Sequence, residues 1–353
     1  MTRPRVLLFG GTGYFGRLLI EDLGRCSDCD VVLASRRPQK AIGRHETVVA
    51  DLSDSSSVDR ALYGASIVIC AAGPFQLLPT TVAELCLRRG IHYIDLSDDR
   101  EFAARVRSLV PESRRDLPAI CTAWSTVSAL SGLLAQIGVG GSNRVDAIYI
   151  HMAPGNRGAR NVSTVHSLMH SVGRSFTVFR GGSWHSVSGW SEPRTFDFPP
   201  PVGRRNGYLV DVPDHDLFPA LFRADTVEFR TSSELNPLNW AVATLAWTRK
   251  TGLVQSWTPF SGTLQRVTSL LSFIGHDSGA VGVEVAGPVT RRVSVVARSA
   301  AQRMAVMPAV IMTNLLLSGA APHGLVSPAT WLTKEELRIQ CENRGFQLII
   351  EES

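Results

Sequence analysis

The most specific chemistry in the chain is written near its start, in Gly10-Gly11-Thr12-Gly13-Tyr14-Phe15-Gly16. Gly11, Gly13 and Gly16 satisfy G-x-G-x-x-G, and Gly10, Gly13 and Gly16 satisfy the wider G-x-x-G-x-x-G. Glycines so spaced permit a tight turn, a close approach of backbone to pyrophosphate, and close packing of a helix on a strand. A helix opening near Gly13 would aim free N–H groups and its positive end at phosphate. The match follows a short apolar strand and opens a helical pattern, the context that makes it a dinucleotide-binding signal.

About twenty residues beyond such a loop, an NAD site places Asp or Glu on the ribose hydroxyls. This chain reads Ser35-Arg36-Arg37 there instead. Two guanidiniums attract a 2′-phosphate, each charge-assisted bond being worth about 1.5–3 kcal/mol, so NADP(H) is the expected cofactor. Asp51, just after the third strand, is expected near the adenine. Ala71-Ala72-Gly73-Pro74 follows the fourth strand and offers small side chains against which a nicotinamide half can lie.

Three residues are candidates for acid/base work. Asp95 falls at the predicted C-terminal end of a parallel strand, the edge where ligands bind in such sheets. In Asp211-Val212-Pro213-Asp214-His215-Asp216, the densest polar cluster of the second half, His215 lies between carboxylates and could hold its proton near neutral pH. His215 and Asp214 are therefore the second and third candidates; a helix cap at Asp95 and a solvated turn at 211–216 are the alternatives. Arg180, Arg204 and Arg205 are available to clamp a substrate carboxylate. His166 and His170, four apart without a carboxylate between them, and the lone Cys26-x-x-Cys29 do not make a metal site.

Several classes are excluded cheaply. Lys40, Lys250 and Lys334 are the only lysines, so neither a Gly-Lys phosphate loop nor a Tyr-x-x-x-Lys dyad exists. There is no Gly-x-Ser-x-Gly elbow and no His-Glu-x-x-His helix. The net charge of +5 is spread over the middle of the chain without a dense basic run, which argues against nucleic acid. The first residues run directly into a strand, and the uncharged stretches are broken by Gly, Ser, Thr and Pro; neither a leader nor a transmembrane segment is expected. A cytoplasmic protein is the expectation.

The elements that must position these residues follow from apolar periodicity. Strands at 5–9, 31–35, 48–50, 67–71, 92–95 and 119–121 alternate with helical stretches, which predicts a Rossmann-type α/β domain with a doubly wound parallel sheet. Beyond it, strands at 145–152, 175–179, 187–190, 226–230 and 281–285 predict a second α+β domain with a largely antiparallel sheet. The expected division is 1–122 for NADP binding, 123–298 for substrate and dimerisation, and 299–353 as C-terminal helices packing back on the first domain.

Gly-Gly-Thr-Gly-Tyr-Phe-Gly, Ala-Ala-Gly-Pro-Phe-Gln at 71–76 and His92-Tyr93-Ile94-Asp95-Leu96 together resemble the saccharopine dehydrogenase-like reductases. The resemblance covers most of the first 125 residues and, more loosely, Pro308-Ala309, Gly319 and Gly324. It implies a Rossmann domain, an inserted substrate and dimerisation domain, a pyridine-nucleotide cofactor and a homodimer. The saccharopine reductases carry a Gly-x-Asp-Pro-Gly type segment after the sixth strand, whereas this chain reads Cys121-Thr122-Ala123-Trp124-Ser125-Thr126-Val127-Ser128. The expected substrate is accordingly another small molecule, carboxylate-bearing or lipid-like. A protein that senses NADPH without catalysis is the alternative from a different class, and a peripheral membrane protein ranks behind both.

Overall fold

A computed structural model describes residues 3–38, 43, 45–111, 114, 116–142, 144–157 and 161–352, the side chain of Cys26 excepted. The first elements are β1 (Arg5–Phe9), α1 (Tyr14–Cys26), β2 (Asp30–Ser35), β3 (Thr47–Val49), α2 (Ser55–Ala61), β4 (Ile67–Cys70), α3 (Thr81–Arg89), β5 (His92–Asp95), α4 (Arg100–Ser108) and β6 (Ile120–Cys121). There follow α5 (Ala129–Val139), β7 (Val145–Ala153), α6 (Val162–Ser171), β8 (Ser175–Arg180), β9 (Ser183–Ser188), β10 (Arg194–Asp197), β11 (Arg204–Leu209), α7 (Asp214–Phe222) and β12 (Ala224–Thr231). The last are α8 (Asn236–Lys250), α9 (Ser261–Ser269), β13 (Gly279–Ala286), β14 (Arg291–Ala297), α10 (Met307–Leu317), α11 (Lys334–Glu342) and β15 (Phe346–Glu352). Among the described residues no helix is long and apolar enough to cross a membrane. The chain divides into one unit of residues 1–129 with 303–331 and a second of 130–302 with 332–353.

In the first unit six parallel strands run in the order β3-β2-β1-β4-β5-β6. β4 is Ile-Val-Ile-Cys, buried at every position, and β1 is buried at four of five, as a sheet covered on both faces requires. The strand order reverses between β1 and β4, which opens a crevice at their C-terminal ends. α10 packs beside α1, where Ser27 Oγ donates to Asn314 Oδ1 at 2.5 Å. Arg303 pairs with Glu21 and Asp22 of α1.

The second unit is built on a nine-stranded sheet of order β10-β11-β12-β7-β13-β14-β15, with β8 joined to β12 and β9 to β8. It is largely antiparallel, although β7 and β12 pair in parallel. Ile148, Ile150, Val227, Phe229, Val283 and Val285 share one buried apolar face by register and alternation. α5 rests on it so closely that a Cβ on Gly138 would fall 2.6 Å from Val285 Cγ2.

The opposite face is polar yet covered. Tyr149, His151, Glu228, Arg230 and Glu284 alternate onto it, and the β10–β11 hairpin folds over them. Arg194 stacks 3.5 Å over Tyr149 and, with Arg292, holds Glu284 at 2.6 Å each. His151 is 2% exposed, beside the rings of Phe196 and Phe198. Burial, with Arg230, Arg194 and Arg205 nearby, pushes its pKa down to about 3, so the imidazole is neutral. Gly207 makes the room, since a Cβ there would lie 2.2 Å from His151 Cε1.

Residues 299–353, expected as helices over the first domain, part company. α10 belongs to the first unit, whereas α11 and β15 belong to the second, where β15 pairs with β14 along its whole length. Phe346–Glu352 becomes a strand because β14 presents an unpaired edge, which its own residues do not announce. β10, β11, β14 and α7 were likewise not expected.

The buried neutral histidine sets an acid limb to stability. The unfolded chain binds a proton at His151 near the ordinary 6.5 and the folded chain only near 3, so stability falls as pH drops through that window. Urea titrations of wild type and His151→Leu at stepped pH should show a shallower acid limb in the variant. Identical slopes would rule out His151 as its source.

Candidate cofactor and active site

The predicted glycine loop occupies the crevice between β1 and β4. Gly10 has φ +78°, and a Cβ on it would lie 2.6 Å from Ala71 C and Ala72 N. A Cβ on Gly16 would lie 2.2 Å from Gly10 O and 2.6 Å from Gly11 Cα, so α1 is seated directly on the loop's backbone. Gly11 is buried against Leu33, whereas Thr12 and Gly13 are exposed at the loop's crest. Gly13 donates its N–H to Gly10 O at 2.9 Å and begins α1 without any side-chain cap. No acidic residue stands in the first turn, and Tyr14 and Phe15 meet edge to face at 5.4 Å. A helix end with these features presents uncapped N–H groups and a positive potential to an anion.

The other cofactor residues expected from sequence border the same sheet edge. Ser35 ends β2, and its hydroxyl donates to Arg37 O at 2.9 Å, folding the chain so that Arg36 and Arg37 are exposed just past the strand. Asp51 accepts from the Ser53 N–H at 2.9 Å and the Ser53 hydroxyl at 2.7 Å. Those bonds, with a contribution from Arg36, hold its carboxyl below the usual range. Ala71, Ala72, Gly73 and Pro74 follow β4, with Ala71 N–H donating to Phe9 O at 2.9 Å and a cis bond at Gly73–Pro74.

Asp95 ends β5 and is fully buried. Its Oδ1 accepts N–H groups from Ser97 and Ala123 at 2.9 Å each, and its carbonyl accepts from Trp124 N–H at 2.7 Å. The carboxylate thus clamps residues 121–128, the stretch that departs from the saccharopine reductases. Ala123 and Ser128 there have φ +56° and +60°, and Trp124 is buried against Trp331 with ring centroids 5.3 Å apart. Non-glycine residues hold left-handed backbone only when their surroundings over-determine it, and Asp95 supplies two of the fixing bonds. Burial pushes the Asp95 pKa up to about 6, against the lowering effect of those N–H groups and of the Thr122 and Tyr93 hydroxyls. A role in direct contact with substrate, as expected from its strand position, does not suit a carboxylate so enclosed. Sequence reasoning noticed the departure at 121–128 but missed the clamp, because both partners are backbone groups that any residue would offer.

The polar cluster at 211–216 is not a solvated turn. Asp214 and His215 open α7 and are both fully buried in the second unit. Asp214 Oδ2 accepts from the Ser131 hydroxyl at 2.6 Å; His215 Nε2 accepts from the Phe229 N–H at 3.0 Å, its ring stacked on Phe176 at 5.5 Å. These bonds fasten α7 to α5 and β12. Arg180, a candidate carboxylate clamp, is already bound to Glu192 and Glu228. Trp190 is buried, stacked on Tyr208 at 5.0 Å, while Trp184 is half exposed.

Residues 6–123 match the family described as saccharopine dehydrogenase NADP binding domain. The first 120 or so residues of this chain are that domain. NADP is its cofactor, and the glycine cradle, the uncapped helix and Arg36-Arg37 fit it. Across solved structures, saccharopine dehydrogenase (L-Glu forming) from Saccharomyces cerevisiae superposes with a TM-score of 0.63 at 15% identity, covering 99% of this chain and 100% of that one. The two share a fold. Amine dehydrogenase from Mycobacterium smegmatis gives a TM-score of 0.49 at 12% identity over 94% of this chain and 96% of that one. Uronate dehydrogenase from Agrobacterium tumefaciens gives 0.24 at 22% identity over 28% and 42%. No curated protein matches the sequence. The N-terminal third of the chain therefore matches a saccharopine dehydrogenase NADP binding domain, and the whole chain shares its fold with saccharopine dehydrogenase.

Three substitutions test this domain. Gly16→Ala forces a Cβ into Gly10 O and should cost about 1–3 kcal/mol of stability with loss of NADPH binding; wild-type values in thermal melts and titrations would refute the close approach. Asp95→Asn keeps an acceptor for Ser97 and Ala123 without the charge. Because the folded pKa is raised, wild type loses stability as pH climbs through about 6, and the variant should not. Asp95→Ala should cost about 1–3 kcal/mol by orphaning two buried N–H groups. Denaturant curves below and above that pH read both.

Proposed function

We propose that this chain is an NADPH-dependent reductase that passes a hydride to the C=N, C=O or activated C=C bond of a small or lipid-like substrate other than saccharopine. One observation carries the proposal: the uncapped N-terminus of α1 and the Gly10–Gly16 cradle lie at the sheet's switch point, and the exposed Arg36-Arg37 pair follows the C-terminal end of the neighbouring strand β2. NADPH, when bound, supplies the hydride. The chain's own part is positional. The first N–H groups of α1 receive the pyrophosphate, and Arg36 and Arg37 neutralise the 2′-phosphate. Ala71–Pro74 leaves backbone and small side chains for the nicotinamide half to rest on. Asp95 acts as a positioning residue, holding Ala123 and Trp124 at the neighbouring strand end. A homodimer is part of the same proposal, and analytical ultracentrifugation tests it.

A second reading has one observation in its favour. Asp95, Asp214 and His215, the acid/base groups expected from sequence, are all fully buried. A protein that binds NADPH and reports its presence to a partner would need none.

The deciding measurements are cofactor titration and turnover. Arg36→Ala/Arg37→Ala should weaken NADPH binding about tenfold or more while leaving NADH nearly unchanged. Equal weakening of both would remove the 2′-phosphate assignment. Sustained NADPH oxidation with any of a cyclic imine, a 2-oxo acid plus amine, or an enoyl thioester supports the reductase; tight binding without turnover on all of them supports the sensor.

A further inference from the structure

Residues 235–276 contain no aspartate or glutamate, in a chain that has 31 acidic residues. Their full charges are Arg249, Lys250 and Arg266, and His276 at the end of the stretch is paired with Glu234 just outside it at 2.6 Å. The stretch forms α8, a loop and α9, and α8 is fastened to the rest of the unit at a few inward positions. Asn239 and Ala246 of α8 are buried, Asn239 O accepts from Trp190 Nε1 at 3.0 Å, and Arg249 donates to the carbonyls of His170 and Val172 at 2.8 and 3.0 Å.

The outward side is apolar and aromatic. Trp240 and Trp247, seven apart on α8, are 66% and 58% exposed. Leu253 and Phe260 project from the loop, where Trp257 anchors itself by donating to Leu245 O at 2.9 Å. Val267, Leu270, Phe273 and Ile274 continue at helical spacing through α9 and the turns after it, with Leu270 and Phe273 more than 70% exposed. A helix turned to water alone carries charges of both signs and few aromatics.

We propose that α8, α9 and the loop between them form a docking surface for an anionic lipid bilayer, on which the protein lies without spanning it. Tryptophan and phenylalanine partition to the headgroup boundary, and basic residues are drawn to anionic lipid. The absence of every carboxylate removes the repulsion such a surface would exert. Charge also disfavours a second copy as occupant. A two-fold pairing through this surface would bring the basic residues of each copy onto a stretch of the other that has no acid to answer them. The inference stands apart from the proposed reaction, since it concerns a different surface.

The test floats full-length protein with vesicles of phosphatidylcholine alone, and with vesicles in which about a third of the lipid is phosphatidylglycerol. Wild type should rise with the anionic vesicles, far less with the neutral ones, and be released by salt. Trp240→Ser/Leu270→Ser/Phe273→Ser should weaken binding about tenfold or more, and Lys250→Glu/Arg266→Glu comparably. Ile339→Ser removes an exposed apolar residue of α11 outside the stretch and should float as wild type. Melting curves check that each variant is folded. Failure of wild type to float, or equal flotation of every variant, overturns the proposal. A wild-type oligomer that ignores vesicles and is broken by the serine variant would assign the surface to a second copy instead.

Discussion

The first unit depends on how closely backbones approach one another at the ends of β1 and β4. Gly16 lies so near Gly10 and Gly11 that no side chain fits, and Gly10 lies equally near Ala71 and Ala72. That closeness seats the N-terminus of α1 over the strand ends, where its N–H groups remain uncapped. Were the helix held off by even one methyl group, its N–H groups would no longer converge with the end of β4 on one ligand. The cofactor site is therefore a consequence of packing first and of polar chemistry second.

Charge is handled in both units by enclosing it among partners. Asp95 is buried but receives two N–H groups and keeps a raised pKa, which makes its ionisation at neutral pH a cost borne for the conformation of 121–128. His151 is buried in the opposite sense, kept neutral among arginines that are themselves tied to Glu228 and Glu284. Such pairs contribute little net stability against their desolvation, but breaking one leaves a buried charge alone. In the second unit they pin the β10–β11 hairpin over an otherwise open sheet face, with Arg194 on Tyr149 as its visible clasp.

The same unit shows two kinds of apolar surface. Phe196, Phe198 and Val202 leave water by closing against the sheet. Trp240, Trp247, Leu270 and Phe273 do not, although Asn239 and Ala246 of α8 and Ser261 of α9 are buried. An exposed apolar patch of this extent, free of acidic residues, marks a surface made for a partner rather than for water alone.

What the amino-acid sequence determined by itself is what short-range constraints impose. Gly10–Gly16 was legible because positive φ and missing Cβ atoms act within a few residues, and β1 and β4 because burial on both faces demands an unbroken apolar run. Arg36-Arg37 was legible because its meaning depends only on distance from that loop along the chain. Tertiary structure decided the rest. Asp214 and His215 look like a solvated cluster until Ser131 and Phe229, far away in sequence, supply their partners. Asp95 looks like an acid at a strand end until Ala123 N–H reaches it. β15 is a strand because β14 waits beside it, and Trp240 is exposed because no described residue comes to cover it. Hydrogen-bond partners and burial are properties of residues brought together from a distance, and no local pattern encodes which ones will arrive.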